Sequence, residues 1–371
     1  MGKVTPRIAI VHDFLLTYGG AERVVSQLHA MYPNAPIYTL LANPKLLKTH
    51  FPKATIYTSP LNRSWLRSRP QLLLTRMPQA VESFDLTEYD VVISSSGAFS
   101  HGVITGPDTT HICYCHSPMR YAWDWHSEYL TEKGLVGLPR FVAETILSRI
   151  RIWDTLAAMR VDIWLANSNT VQKRIQKYYN APSTVVYPPV NTTFFNASMV
   201  TSNTDDQYAV TVSRLTSNKR IDLIIQACIA QNLPLHVIGG GEDRKRLESI
   251  TGGNELITFT GPLSEEDKRR EIANAYCFIF AAEDDFGIAP VEALALGVPV
   301  IAFEGGGALE TVIDGKNGLF FKDASVESIQ KALTRFREVG ITLSATQIRE
   351  TALRFTQEAF TDQIAKIVGN V

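Results

Sequence analysis

At 371 residues the chain exceeds what one hydrophobic core sustains, which implies two domains. Hydrophobic residues at 45% against 20% charged give an ordinary soluble globular composition. A net charge of -1 argues against a nucleic-acid partner, which calls for a strong basic excess.

The chain opens on Met1–Arg7, followed by a short apolar run, Ile8–Val11, that His12 and Asp13 interrupt. That run is too short for a signal peptide or a membrane span. Pro6 stands where a myristoylation motif needs Ser or Thr. The expectation is a cytoplasmic protein. Ile8–Val11, Val91–Ser94, His111–Cys115, Ile163–Ala166 and Thr184–Tyr187 are expected to be buried parallel strands. Helical periodicity runs between some of them, at Ala21–Met31 and Thr170–Tyr179. Asn191–Gln207 is polar throughout and is the one composition shift in mid-chain, as an interdomain connection would be.

Beyond it the alternation restarts. Ala209–Ser213, Leu235–Ile238, Ile257–Thr260, Cys277–Ala281 and Val298–Ala302 are strand-like. Ile221–Ala230, Asp243–Thr251, Glu265–Ala275 and Ala289–Leu296 are the helical segments between them. Strands regularly separated by helices predict an α/β protein with two successive parallel sheets. Cys113, Cys115, Cys228 and Cys277 are expected as free thiols. Cys113, Cys115 and His116 lack the second ligand pair that a zinc site requires.

Four loops that follow strands suit an anionic ligand. In the first, Gly19 and Gly20 precede a helix, where backbone amides approach a phosphate, although a plain helix-capping turn reads the same. In the second, Arg214 and Lys219 could close on a diphosphate or stand in a solvated charged loop. The third, Gly239-Gly240-Gly241, fails the dinucleotide spacing at Arg244, leaving a tight turn or backbone approach to a nucleotide. The fourth runs from Ala282 to Ala293. Its helix start presents the amides of Gly287, Ile288 and Ala289, and Pro290 fits the first turn because it has no N–H to satisfy. Asp284 lies in this loop and Glu292 in the helix among apolar neighbours, where a carboxylate needs a specific partner such as a ribose. An acidic helix start complementing the dipole is the simpler alternative.

Together these residues resemble the family 4 retaining glycosyltransferases. Asp284–Glu292 resembles that family's E-x7-E motif, Arg214 and Lys219 its phosphate clamp, and Gly19-Gly20 its N-terminal glycine loop. Cys115-His116-Ser117-Pro118 matches the strand end carrying the family's active-site histidine. The likeness continues through Asn167-Ser168-Asn169, Tyr187-Pro188-Pro189-Val190 and Gly305–Glu310. Pro118–Asp124 and Arg151-Ile152-Trp153-Asp154 look like the WbaZ-type bacterial mannosyltransferases.

The resemblance implies the GT-B architecture: two Rossmann-like domains whose parallel sheets face each other across a cleft. It places an acceptor-side domain at 1–196, a linker at 197–207 and a nucleotide-sugar domain at 208–350, with a helix in 351–371 returning to the first domain. It implies retaining hexosyl transfer, mannose from GDP-mannose, to a glycan or lipid-linked glycan in bacterial polysaccharide or O-antigen synthesis. A UDP-sugar donor and a nucleotide-sugar epimerase of the same fold are the alternatives. No metal or other cofactor is expected: Arg214 and Lys219 would hold the leaving diphosphate, helped by the amides of Gly287–Ala289. His116 would bond the donor sugar, Glu292 the ribose, and Gly19, Gly20, Gly240 and Phe286 would line the donor site. Arg120, Tyr121 and Trp123 are the acceptor-side expectation. Asp284 replaces the usual Glu; its register with Phe286-Gly287 favours it over Glu283 as the sugar contact. Peripheral membrane contact is expected at Asn62–Arg76, where four arginines interleave with Trp65 and leucines, although leucines packing on the core would give the same pattern.

Overall fold

The structure, a computed structural model, describes residues 6–65, 67, 73–191, 194 and 207–371. The chain divides into two compact units, residues 1–189 with 360–371, and residues 190–359.

In the first unit seven parallel strands form one sheet: β1 (Ile8–Leu15), β2 (Ile37–Ala42), β3 (Ile56–Thr58), β4 (Val91–Ser96), β5 (Thr110–Cys115), β6 (Ile163–Ala166) and β7 (Ser183–Val185). Their spatial order is β3-β2-β1-β4-β5-β6-β7. Side chains alternate between faces with period two. Ile8 and Ile10 therefore join Val24, Leu28 and Ile93 on one side, while Ala9 and Val11 join Leu40, Val92 and Phe99 on the other. Both faces are covered, so the strands read as apolar runs rather than as alternating ones. The final helix, Gln357–Val368, contributes Phe360, Ile364 and Val368 to the first of these cores.

The second unit holds six parallel strands: β8 (Ala209–Val212), β9 (Leu235–Ile238), β10 (Ile257–Gly261), β11 (Cys277–Phe280), β12 (Val300–Phe303) and β13 (Gly318–Phe321). Their order is β10-β9-β8-β11-β12-β13. Helices Ile221–Ala230 and Val326–Val339 pack Ile224, Leu333 and Phe336 over Leu235, Val237, Ile279 and Ile301.

The strands β2, β3 and β13 and the helix Gly137–Ala158 add to the elements read from the sequence. The division between units falls at 189/190, and residues 351–359 stay with the second unit. The Val190 N–H donates to the Phe355 carbonyl at 2.8 Å, and Phe355 packs edge-on against Phe286, which ties both stretches to that unit. The expected linker at 197–207 lies outside the described residues except for Gln207, and so does most of Leu66–Leu72.

Each sheet has one point where its winding reverses. In the first, the chain steps from β1 outward to β3, then returns to β4 on the other side of β1. In the second, it steps from β8 to β10 and returns to β11 beside β8. Crossovers leave opposite faces at such a point, and ligands bind beyond the carboxyl ends of the two strands.

Candidate active site

The loops beyond β8 and β11 carry the cationic and acidic candidates of the second unit. Lys219 ends a short 3-10 turn, Ser217–Lys219, and its Nζ donates to both carboxylate oxygens of Asp284 at 2.5 and 2.6 Å. Arg214 is exposed and makes no ion pair among the described residues. Gly287 adopts φ 81°, a left-handed conformation that favours glycine, and caps the helix Ile288–Ala295. The amides of Gly287, Ile288 and Ala289 thus open that helix at the same end of the sheet, half-buried.

Two glycine loops set the backbone here. A Cβ on Gly239 would fall 2.0 Å from the Ser213 carbonyl, and one on Gly241 2.1 Å from that of Leu215. Gly240, between them, meets only the Pro262 ring, at 3.4 Å, so it is the one of the three with room for a ligand beside it. A Cβ on Gly306 would lie 2.2 Å from the Asp284 carbonyl, and one on Gly307 2.3 Å from the Phe286 Cα. The 305–307 loop thus packs against the backbone of the Asp284–Phe286 loop.

Two expected donor contacts prove more internal than the sequence suggests. The Phe286 ring is 4% exposed and packs on Phe355, so at this position the backbone is what faces a ligand. Glu292 is 2% exposed, and its carboxylate accepts from Lys268 Nζ at 3.1 Å. Lys268 also donates to Glu265 and lies over the Phe194 ring, 5.0 Å from its centroid. Lys268 was missed from the sequence; the buried carboxylate at 292 was the signal that a cation had to stand somewhere nearby.

The reversal point of the first unit is held by Asp13. Its buried carboxylate accepts four backbone N–H groups, of Gly97, Ala98, Phe99 and Ser100, at 2.6–2.8 Å. His12 Nδ1 contacts the Ser95 carbonyl at 2.9 Å, and its Nε2 lies 3.9 Å from Glu22. Burial disfavours both charges of this pair; mutual attraction outweighs it, holding His12 above and Glu22 below their ordinary pKa ranges. Glu22 also accepts the Gly19 N–H at 2.8 Å, so a donor that the glycine loop offered to a phosphate is already taken. Gly20 opens the helix Gly20–Met31 and is exposed.

His116 follows β5. Its Nε2 shares a hydrogen bond with Ser95 Oγ at 2.7 Å, its N–H donates to Ser96 and its carbonyl accepts from Asn167. Burial, reinforced by His12, pushes its pKa down to about 4, so the ring is neutral at pH 7 and can donate to or accept from a hydroxyl.

The acceptor-side expectation is only partly free. Trp123 donates Nε1–H to the buried Asp154 at 2.7 Å and stacks on Tyr178, which makes it a structural strut. Arg120 lies 3.7 Å from Asp124, which also pairs with Arg174. The Tyr121 hydroxyl donates to the Met119 sulfur at 3.3 Å. Among the described residues, no cluster of three or more His, Cys, Asp or Glu is arranged to hold a metal ion, and no helix is long and apolar enough to cross a membrane. All four cysteines are buried and none forms a disulfide.

Comparison with known proteins agrees with this layout. Residues 18–194 match the model described as Glycosyltransferase Family 4, and residues 195–354 the one described as Glycosyl transferases group 1. The GDP-mannose-dependent alpha-(1-6)-phosphatidylinositol monomannoside mannosyltransferase of Mycolicibacterium smegmatis is 33% identical over 145 residues, 35% of this chain and 38% of its own length. The human alpha-1,3/1,6-mannosyltransferase ALG2 is 26% identical over 216 residues, 50% of this chain and 51% of its own. The matched region thus spans about half or less of these two relatives. Among solved structures, Anabaena HepE in complex with UDP-glucose superposes with a TM-score of 0.71 at 19% identity, covering 99% of this chain and 100% of that one. Sucrose-phosphate synthase of Thermosynechococcus elongatus gives 0.74 at 16%, covering 98% of each. These likenesses show the GT-B fold of two Rossmann-like domains. The two matches adjoin and together span residues 18–354, and each model is described as one of glycosyltransferases.

Proposed function

We propose that the protein is a retaining glycosyltransferase that moves mannose from GDP-mannose to a lipid-linked glycan, without a metal ion. The observation that carries this reading is the reversal point of the second sheet. There Lys219, with Arg214 on the same loop after β8, and the open helix start at Gly287 stand at the carboxyl ends of adjacent strands. Two cations and a helix N-terminus give a leaving diphosphate the positive field that a metal supplies elsewhere. Glu292, fixed by Lys268, takes the ribose hydroxyls. Neutral His116 takes a hydroxyl of the transferred sugar, and the acceptor hydroxyl attacks from the face that the diphosphate leaves. Mannose from GDP is favoured by the GDP-mannose-dependent mannosyltransferase of Mycolicibacterium smegmatis and by the mannosyltransferase ALG2. A UDP-sugar donor is the second reading, favoured by the UDP-glucose bound in HepE.

A membrane-held acceptor is supported by the helix Gly137–Ala158. Leu138, Phe141, Val142, Ile152 and Leu156 are all exposed and fall within about 100° of one face, with Arg149 among them. An apolar face whose one charge is basic suits an anionic lipid surface, with the arginine reaching headgroup phosphates.

The test is GDP release from GDP-mannose in EDTA, with and without a bacterial lipid extract, beside the same assay with UDP-glucose. Acceptor-dependent release from GDP-mannose alone is expected. Release from UDP-glucose alone would move the donor to the second reading, and conversion of the sugar without acceptor would make the protein an epimerase.

A further inference from the structure

Lys219 and Asp284 are each the other's only charged partner among the described residues, and the contact engages both carboxylate oxygens. The two side chains are 19% and 22% exposed, within reach of a ligand arriving at the loops after β8 and β11. The cation assigned to the diphosphate is therefore neutralised in the free protein by the carboxylate assigned to the sugar. A diphosphate arriving at this ammonium competes with the carboxylate for its three N–H donors, and two anions at hydrogen-bond distance from one cation repel each other, which favours parting the pair.

The backbone determines what can move. The Asp284 carbonyl accepts the Gly307 N–H at 2.9 Å, and the 305–307 loop leaves no space for even a Cβ at Gly306 or Gly307. Lys219 closes its 3-10 turn by donating its N–H to the Thr216 carbonyl at 3.0 Å, and Arg220 follows at φ 51°. The two main chains are held, so an exchange of partners is a rotation of two side chains.

We propose that Asp284 is a positioning residue that holds Lys219 in the free protein and surrenders it to the donor's diphosphate, freeing its own carboxylate for hydroxyls of the donor sugar. This rests on the nucleotide-sugar reading above. A nucleoside diphosphate without a sugar breaks the ion pair and leaves Asp284 uncompensated. A nucleotide-sugar breaks the same pair and returns hydrogen bonds to the carboxylate. The exchange thus builds in a preference for donor over product, which favours release of the spent nucleotide.

The test measures binding of GDP and GDP-mannose, and of UDP and UDP-glucose, by calorimetry to wild type, Asp284→Asn and Glu283→Gln, together with turnover. Asp284→Asn should bind the bare diphosphate about fivefold more tightly, the scale of losing one competing ion pair. It should also lose the preference for nucleotide-sugar and turn over more slowly. Glu283→Gln removes an equal charge one residue away, so it should change none of these if the effect belongs to the pair rather than to the overall field. Asp284→Ala provides a second variant should the amide disturb folding. Unchanged or weaker diphosphate binding in both Asp284 variants would overturn the proposal, as would an equal gain in Glu283→Gln. If wild type binds neither GDP nor UDP, the donor reading itself fails and this proposal falls with it.

Discussion

Replacing Lys219 by alanine removes one of the two cations expected at the leaving group; among the described residues its side chain pairs only with Asp284, so the fold should be spared. As the bond between sugar and diphosphate breaks, negative charge grows on the departing oxygen, so the ammonium gains more in the transition state than it had in the ground state. Unit charges about 4 Å apart at an effective dielectric near 20 interact by about 4 kcal/mol. Only the charge that develops during the step counts toward kcat, which leaves about 3 kcal/mol, or roughly a hundred- to a thousandfold in rate. The unpaired Asp284 left behind adds repulsion in the same direction. Initial rates of GDP release over a range of GDP-mannose concentrations separate the two effects: kcat should collapse while KM rises much less. Added magnesium or manganese should not restore the rate. A variant with intact kcat and a raised KM would make Lys219 a simple anchor and refute the leaving-group role.

Four further outcomes follow from the structure. Gly307→Ala places a Cβ 2.3 Å from the Phe286 Cα and should weaken both thermal stability and nucleotide binding. Gly240→Ala meets only the Pro262 ring and should leave the melting temperature nearly unchanged, so any loss of nucleotide affinity there reports direct approach of the ligand. His116 should remove stability as pH falls. Its folded pKa of about 4 lies below the unfolded value, so the unfolded chain takes up the proton first; the contribution is complete above about pH 6.5 and declines toward pH 4 by up to about 1.4 kcal/mol per unit. His12, held above its ordinary range, opposes this in part, so urea titrations at pH 7 and 5 should compare wild type with His116→Asn, and equal losses in both would contradict the assignment. Finally, Phe141→Ser with Arg149→Glu should reduce flotation with anionic vesicles. Unchanged flotation, or loss of a dimer in its place, would assign that face to something other than lipid.

The strands β1, β4, β5, β6, β8, β9, β10 and β11 were legible because both sheet faces are covered, which writes each strand as an apolar run before a polar or glycine loop. Ile37–Ala42 is just as buried, but Tyr38 and Thr39 break its apolar run, and it is followed by Asn43-Pro44 with no glycine loop. Gly137–Ala158 escaped for the opposite reason: its exposed face is as apolar as its buried one, which blurs the helical period. At the site, residue types and loop positions were legible, but partners were not. That Glu22 would close on Gly19 and His12, that Lys268 would neutralise Glu292, and that Asp284 would take Lys219 depends on which loops the sheet order brings together. That the Trp123 N–H would go to Asp154, 31 residues on, was equally hidden in the sequence.

The most direct test of the central claim is a crystal structure of the protein grown with GDP-mannose or its non-hydrolysable analogue in EDTA. The diphosphate is expected within hydrogen-bond reach of Arg214, Lys219 and the Gly287–Ala289 amides, with the ribose at Glu292 and the Lys219–Asp284 pair parted. A nucleotide seated elsewhere, or one that binds only with a divalent ion bridging its phosphates, would contradict it.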